Sequence, residues 1–270
     1  EGERALAWVR ERNQRSLATL QGDPRYQQLF DQALSIATAR DRIPSAGFAA
    51  DGLRGFWQDR THVRGIWRRT SMDSYRTAEP TWDVILDVDA LSASENANWV
   101  FRGAGCLEPR QTRCLVSLSN GGKDAVEVRE FDVATKSFVP NGFRLPESKG
   151  SATWVDENTL LIARDFGEGT LTDSGYPMVV KRLTRGQPIE QARELIRGQK
   201  TDVSVSPAVL RDADGVVQAI MMIRAKTFYE ADYFLMRGDE AIKLPFPQKI
   251  SIQGLVGGRL VATLEEDWQT

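Results

Sequence analysis

The chain has 270 residues, 41% of them hydrophobic and 27% charged, with a formal net charge of −2. That balance is ordinary for a globular protein and leaves room for one large or two medium domains. There is no basic block or RNA-binding aromatic motif, and no apolar run approaches the roughly 20 residues of a membrane span, so neither nucleic acid nor membrane is expected as a partner. The first residue is Glu1 rather than Met, so the sequence is expected to be processed, cut or trimmed, with any targeting signal out of sight.

Residues 3 to 20 carry Leu6, Val9, Leu17 and Leu20 near one face, with Arg and Glu between them, which predicts an amphipathic helix ended by Gly22. Asp23 then offers an N-cap, with Pro24 at the first helical position. Tyr26, Leu29, Phe30, Ala33, Leu34 and Ala37 continue at helical spacing, and this second helix should end before Ile43-Pro44. Both apolar stripes read as surfaces that pack on a core. From about residue 46 the period changes to short β-type runs separated by Gly, Pro, Asp and Asn. The expected strands are 53–58, 63–70, 82–87, 99–103, 114–118, 125–132, 151–155, 160–164, 178–183, 203–211, 216–225, 233–237, 241–244 and 258–265. Residues 191–196 read as a short helical insert or an irregular connection. Many short strands with regular turns indicate a sandwich, barrel or propeller, and similar units recur at roughly 45-residue spacing.

At Ser119-Asn120-Gly121-Gly122 two chemistries compete. A nucleophile elbow puts its serine on a sharp strand-to-helix turn flanked by small residues. Here Ser117 stands two before the serine in place of glycine. Downstream, Val126, Val128 and Phe131 are spaced by Glu127, Arg129 and Glu130 like a half-buried strand. Asn120-Gly121-Gly122-Lys123 is therefore read as a strand-to-strand turn, with glycine supplying positive φ. The only histidine, His62, sits at a strand start and reads as a surface or turn residue. No catalytic residue is assigned.

Asp87 with Asp89, or Glu265 with Glu266 and Asp267, could pair as in a glycosidase, but acids at strand ends and turns are mostly solvated. Gly167-Glu168-Gly169 and Gly257-Gly258 lack a phosphate loop's Lys-Ser or Lys-Thr sequel, and the acidic turn at 211–215 lacks calcium-loop spacing. Two cysteines and one histidine cannot make a standard zinc site. No cofactor and no metal is expected. A hairpin folding back near Pro109 and Arg110 could set Cys106 and Cys114 opposite each other. A disulfide there would imply an oxidising compartment and favour the periplasm over the cytoplasm. Reduced thiols in neighbouring strands are the other reading. The sequence leans to the thiols, since bridging demands suitable Cβ geometry, and the bridge stays open.

Several pieces, taken in order, resemble one family. They are Gly65-Ile66-Trp67-Arg68-Arg69-Thr70, Trp82 through Leu91, Asn98-Trp99-Val100, Leu118 through Ala125, and Val128 through Asp132. Leu145 through Gly150, Asp165 through Pro177, and Glu266-Asp267-Trp268 complete the set. The set resembles the bacterial branch of the prolyl oligopeptidase family of serine peptidases, and covers only its N-terminal part. The resemblance implies a mainly β fold: two N-terminal α-helices, then a partial, open β-propeller of about four blades from a seven-bladed ring. Residues 1–45 would be a helical segment that packs on the peptidase domain, and residues 46–270 the partial propeller. The Ser-Asp-His triad would lie in a C-terminal domain that nothing here matches, so the chain should be inactive alone. The propeller would gate access of short proline-containing peptides to that domain. Expected partners are peptide substrate, by way of the missing domain, and a second copy through open propeller edges. The alternative, from another class, is a stand-alone propeller-like binding module without catalysis.

The resemblance also places a loop, Asp165–Tyr176, near the interface with the peptidase domain. Three glycines with Ser, Thr and Asp between them are costly to order, and the segment is longer than a hairpin needs. It is expected to be a mobile gate built on Asp165, Phe166, Gly167, Gly169 and Tyr176. Without the peptidase domain, Phe166 and Tyr176 should lack a partner and the loop should be disordered or displaced.

Overall fold

The structure, a computed structural model, describes residues 2–39, 41 and 43–268. Two helices come first, α1 (Glu3–Gln21) and α2 (Tyr26–Ala37). α1 stops at Gly22, whose N–H returns to the Ala18 carbonyl. α2 starts later than its sequence suggested. The Asp23 carboxylate accepts from the backbone N–H and guanidinium of Arg25, so it closes a local turn and does not cap the helix. Neither helix buries a residue; Leu20 is 60% exposed and Ile36 70%. The expectation that these stripes meet a core is thereby corrected: among the described residues nothing covers them.

The remaining chain winds into successive antiparallel sheets. β1 (Gly47–Ala49), β2 (Gly52–Trp57), β3 (Ile66–Thr70) and β4 (Asp83–Asp87) form the first in chain order, with α3 (Met72–Tyr75) after β3 and α4 (Val88–Glu95) after β4. The second holds β5 (Trp99–Cys106), β6 (Arg113–Asn120), β7 (Val126–Asp132) and β8 (Ser137–Phe138), with β9 (Arg144–Ser148) also on β7. The third is β10 (Gly150–Asp156), β11 (Thr159–Arg164), β12 (Val179–Thr184) and β13 (Arg193–Arg197). The fourth is β14 (Ser204–Arg211), β15 (Val217–Ala225), β16 (Ala231–Arg237) and β17 (Glu240–Lys243), and the hairpin β18 (Ile250–Val256)–β19 (Arg259–Leu264) begins a fifth. Up-and-down order within each sheet is the propeller blade pattern. Among the described residues no pairing joins β18 or β19 back to the first sheet, so four blades and the start of another form an open propeller.

The core lies in the seams between blades, and period-two geometry explains its sequence. Successive side chains of a strand point to opposite faces, so a strand between two neighbours buries both sets. Cys114 and Val116 face the first blade's Trp67 and Leu86, while Leu115 between them joins Trp154 and Leu160 of the third. Leu160 and Ile162 point back to that second seam, and Leu161 and Ala163 pack with Val205 and Met222 of the fourth blade. Met222 belongs to the third seam; its neighbour Met221 meets Ile250 of the next hairpin. Polar ties cross the same seams. Trp154 Nε1 donates to the Gly105 carbonyl at 3.0 Å, and Arg185 grips the buried Glu130 carboxylate at 2.8 and 3.0 Å.

The segment read as a helical insert at 191–196 is instead the outer strand β13, with only a short 3-10 turn at Ile189–Gln191 before it. Its Arg-Glu-Leu-Ile-Arg run lies at a blade's outer edge, where water replaces the apolar alternation that marks inner strands. α4 falls between the expected strands 82–87 and 99–103, where no element was expected. Asp87 caps it by accepting the Ala90 N–H at 2.9 Å, and Asn96 ends it in the left-handed region.

Candidate functional site

Three places carried functional expectations, and each has a definite local structure. The first is the Ser119 turn. Ser119 is fully buried at the end of β6, and its hydroxyl donates to the Lys123 carbonyl at 2.7 Å. Gly121 and Gly122 both have φ of 81°, which turns the chain from β6 into β7. A hydroxyl with no exposure and its proton engaged cannot attack a substrate. His62 accompanies Asp59, with Nδ1 3.2 Å from the carboxylate. Asp59 also accepts the Thr61, His62 and Trp57 N–H groups; the His62 backbone bond, foremost among its causes, holds its carboxyl down to about 2. This is a turn lock rather than a base and its orienter. Among the described residues no cluster of three or more His, Cys, Asp or Glu side chains could hold a metal ion.

The second place is the cysteine pair. Cys106 and Cys114 are cross-strand partners in β5 and β6, and their sulfurs are bonded at 2.00 Å. Of the two readings open in the sequence, the structure carries the bridge. It closes the hairpin whose tip includes Glu108-Pro109, where the peptide is cis.

The third place is the loop between β11 and β12. It is held by threonine hydroxyls where the composition suggested little anchoring. Asp165 accepts the Gly167 N–H at 2.8 Å, while Thr170 Oγ1 accepts the Phe166 N–H at 3.0 Å and donates to the Gly167 carbonyl at 2.6 Å. Leu171 and Pro177 form an isolated antiparallel bridge, and within it the Thr172 N–H returns to the Tyr176 carbonyl at 2.8 Å. Thr170 and Thr172 are buried. From the fourth blade's side the Val203 carbonyl takes the Thr172 hydroxyl, and from β13 of the third blade Arg197 holds the Gly169 carbonyl.

The expectation that Phe166 waits for a partner is corrected. Its ring packs into the seams on both sides of the third blade, under the Lys181 ammonium at 4.3 Å. Tyr176 differs, being 41% exposed with Lys149 4.7 Å over its ring. Asp165, Gly167 and Gly169 line a shallow cavity of about 480 Å³ with Thr172, Asp173 and Lys200. Thr170, Thr172, Lys149 and Arg197 escaped the sequence reading. Only the spacing of two threonines among glycines hinted at hydroxyl anchoring.

A family model described as prolyl oligopeptidase, N-terminal beta-propeller domain, matches residues 1–253. An uncharacterized peptidase of Sinorhizobium fredii is 46% identical over 273 residues, spanning 99% of this chain and 38% of the relative. An uncharacterized peptidase of Rickettsia prowazekii is 31% identical over 281 residues, spanning 99% and 39%. The structure of a post-proline cleaving enzyme from Rickettsia typhi superposes with a TM-score of 0.92 at 29% identity, over 99% of this chain and 40% of that one. The chain thus spans about two fifths of the length of the curated relatives it matches.

Proposed function

The chain belongs to the prolyl oligopeptidase family, matching its N-terminal β-propeller domain, and on that premise we propose that it is the N-terminal portion of a serine endopeptidase whose propeller admits short proline-containing peptides to a catalytic domain. The observation that carries this reading is the pair of uncovered amphipathic helices. α1 and α2 present Leu6, Trp8, Leu17, Leu29 and Phe30 to solvent. An apolar surface of that extent marks an interaction site. In this reading residues 1–45 dock on the catalytic domain and residues 46–270 are the partial propeller above it. Peptide is the substrate of the whole protein, and the open blade faces support self-association of the chain alone.

Within the gate, Asp165 and Thr170 fix the base of the loop, Gly167 and Gly169 shape it, and Phe166 is its anchor. Tyr176 is then the residue free to meet the catalytic domain. The experiment shortens residues 167–175 to a Gly-containing turn in the full-length parent and compares kcat/KM on short and long proline peptides. The expected outcome is a changed size limit with nearly constant thermal stability. Unchanged kinetics on both substrates would remove the gate from the account.

A further inference from the structure

One hairpin of the second blade reaches the other three. β5 and β6 meet at the tip 107–112, and up-and-down order places this tip at the same end of the propeller as the β1–β2, β10–β11 and β14–β15 turns. On the first blade's side the Ala50 N–H donates to Gln111 Oε1 at 3.1 Å, and Arg54 Nη1 donates to the Gln111 carbonyl at 3.0 Å. On the other side Leu107 packs in the seam with Trp154 of the third blade. Beyond it the β14–β15 turn of the fourth blade closes on Pro109. A Cβ on Gly215 would stand 2.7 Å from Pro109 Cδ, so that approach requires glycine. The hairpin is a strap from the first blade to the fourth.

The strap is cross-linked at its base and lightly bonded inside. Within the tip the Leu107 N–H donates to the Arg113 carbonyl and the Gln111 N–H to the Leu107 carbonyl, both at 2.8 Å. The Cys106–Cys114 bridge joins the two strands where they enter the tip. The cysteines are only 8 positions apart, so the bridge constrains the unfolded chain less than a long-range one and acts chiefly on the hairpin.

The surroundings of the bridge suit an exchangeable disulfide. Cys114 is fully buried, while Cys106 is half-buried and is the sulfur an incoming thiolate can reach. Arg54, with its side chain 8% exposed, sets Nη1 3.5 Å from Cys106 Sγ and 3.8 Å from Cys114 Sγ. Its carboxylate partner Asp51 is shared with Arg69, and Arg69 shares Asp83 with Lys136. Among the described residues this leaves three cations on two carboxylates, and the positive charge favours a thiolate beside Arg54. We propose that the bridge is a reducible lock: closed, it holds the strap against the first and fourth blades, and opened by a dithiol, it frees the tip from Ala50 and Gly215. In the exchange the attacking thiolate bonds to Cys106 Sγ, and the S–S bond breaks with its electron pair on Cys114 Sγ. The second thiolate of the dithiol then displaces Cys106 from the mixed disulfide. The dithiol is oxidised to its own disulfide, and its two protons pass by way of water to the cysteines.

Hydrogen exchange of the native 270-residue chain, without and with dithiothreitol, tests the lock. Opening should raise exchange in 107–112, 50–54 and 212–216 about tenfold or more and leave β11 and β12 unchanged. Cys106→Ser with Cys114→Ser should reproduce the opened pattern and make it insensitive to dithiothreitol. Unchanged exchange on opening overturns the proposal. A rise spread over every blade does so too, because the bridge would then stabilise the fold as a whole. The rate of reduction is read by mass after alkylation. It should proceed without denaturant, and Arg54→Met should slow it about fivefold through the poorer leaving thiolate, with Arg54→Lys restoring most of the rate. A bridge that opens only in denaturant, or an Arg54→Met chain reduced as fast as the unaltered one, overturns it as well. Neither readout involves peptide hydrolysis, so failure of the lock and failure of the peptidase reading are told apart.

Discussion

Glu130 offers a calculable perturbation of the propeller. Its side chain is 1% exposed, and it accepts two hydrogen bonds from Arg185 and one from the Phe143 N–H at 2.8 Å. Arg113 stands further off at 3.7 Å. Arg185 is itself 30% exposed and also donates to Asn158, so it can rehydrate when Glu130 is removed. Glu130→Ala should cost about 3 kcal/mol, mostly from the orphaned Phe143 N–H and the lost charge-assisted bonds. Arg185→Met should cost as much or more, about 3–5 kcal/mol, because it leaves the carboxylate buried with one N–H and a distant cation. The double variant should cost less than the sum, giving a coupling energy of about 2 kcal/mol in a urea-denaturation cycle. Single costs below about 0.5 kcal/mol, or no coupling, would refute the idea that this pair ties the second blade to the third.

Other expectations follow from the same structure. Burial pushes the Asp202 carboxyl up, but the Arg224 guanidinium and the Gln199 N–H outweigh it and hold the group below its ordinary value. Its contribution is therefore present above the unfolded value of about 3.9 and is lost as pH falls through the folded one. Asp202→Asn should lower stability at neutral pH and flatten the acid limb of a stability–pH curve; an unchanged limb would contradict this. Ser119→Ala in the full-length parent should leave kcat intact and cost about 1 kcal/mol through the lost Lys123 bond. A hundredfold loss of kcat with the fold preserved would make Ser119 functional after all. At micromolar concentrations the chain alone should elute above its monomer mass in light scattering, with Trp8→Glu and Phe30→Glu reducing that mass; a strict monomer at all concentrations would contradict it.

The inner strands were legible because they are buried twice. A strand with a blade on each side needs apolar residues at consecutive positions, and Cys114-Leu115-Val116 and Leu160-Leu161-Ile162 show this directly. The outer strands β8 and β13 were not legible, since one edge and much of each face meet water and no alternation survives. The α1 and α2 stripes announced helices correctly but not their partner, because periodicity says which face is apolar and nothing about what covers it. The loop at 165–176 was visible by its length and glycines. Its anchoring was hidden because it comes from hydroxyl-to-backbone bonds at Thr170 and Thr172, which composition does not reveal. Arg68 stood in the sequence as one letter of a family motif. Its burial depends on the register of β2, β3 and β4, which brings Trp57 and Trp82 to its two faces.

The central claim, that this chain gates a reaction whose chemistry lies outside it, is tested most directly by turnover of a chromogenic proline peptide. The purified 270-residue chain and the full-length parent are assayed side by side, with and without a serine-directed inhibitor. The account expects inhibitor-sensitive hydrolysis by the parent and none by the chain, whose only histidine serves a turn and whose Ser119 is buried. Hydrolysis by the chain itself, blocked by the inhibitor, or a parent that is inert toward proline peptides, would contradict it.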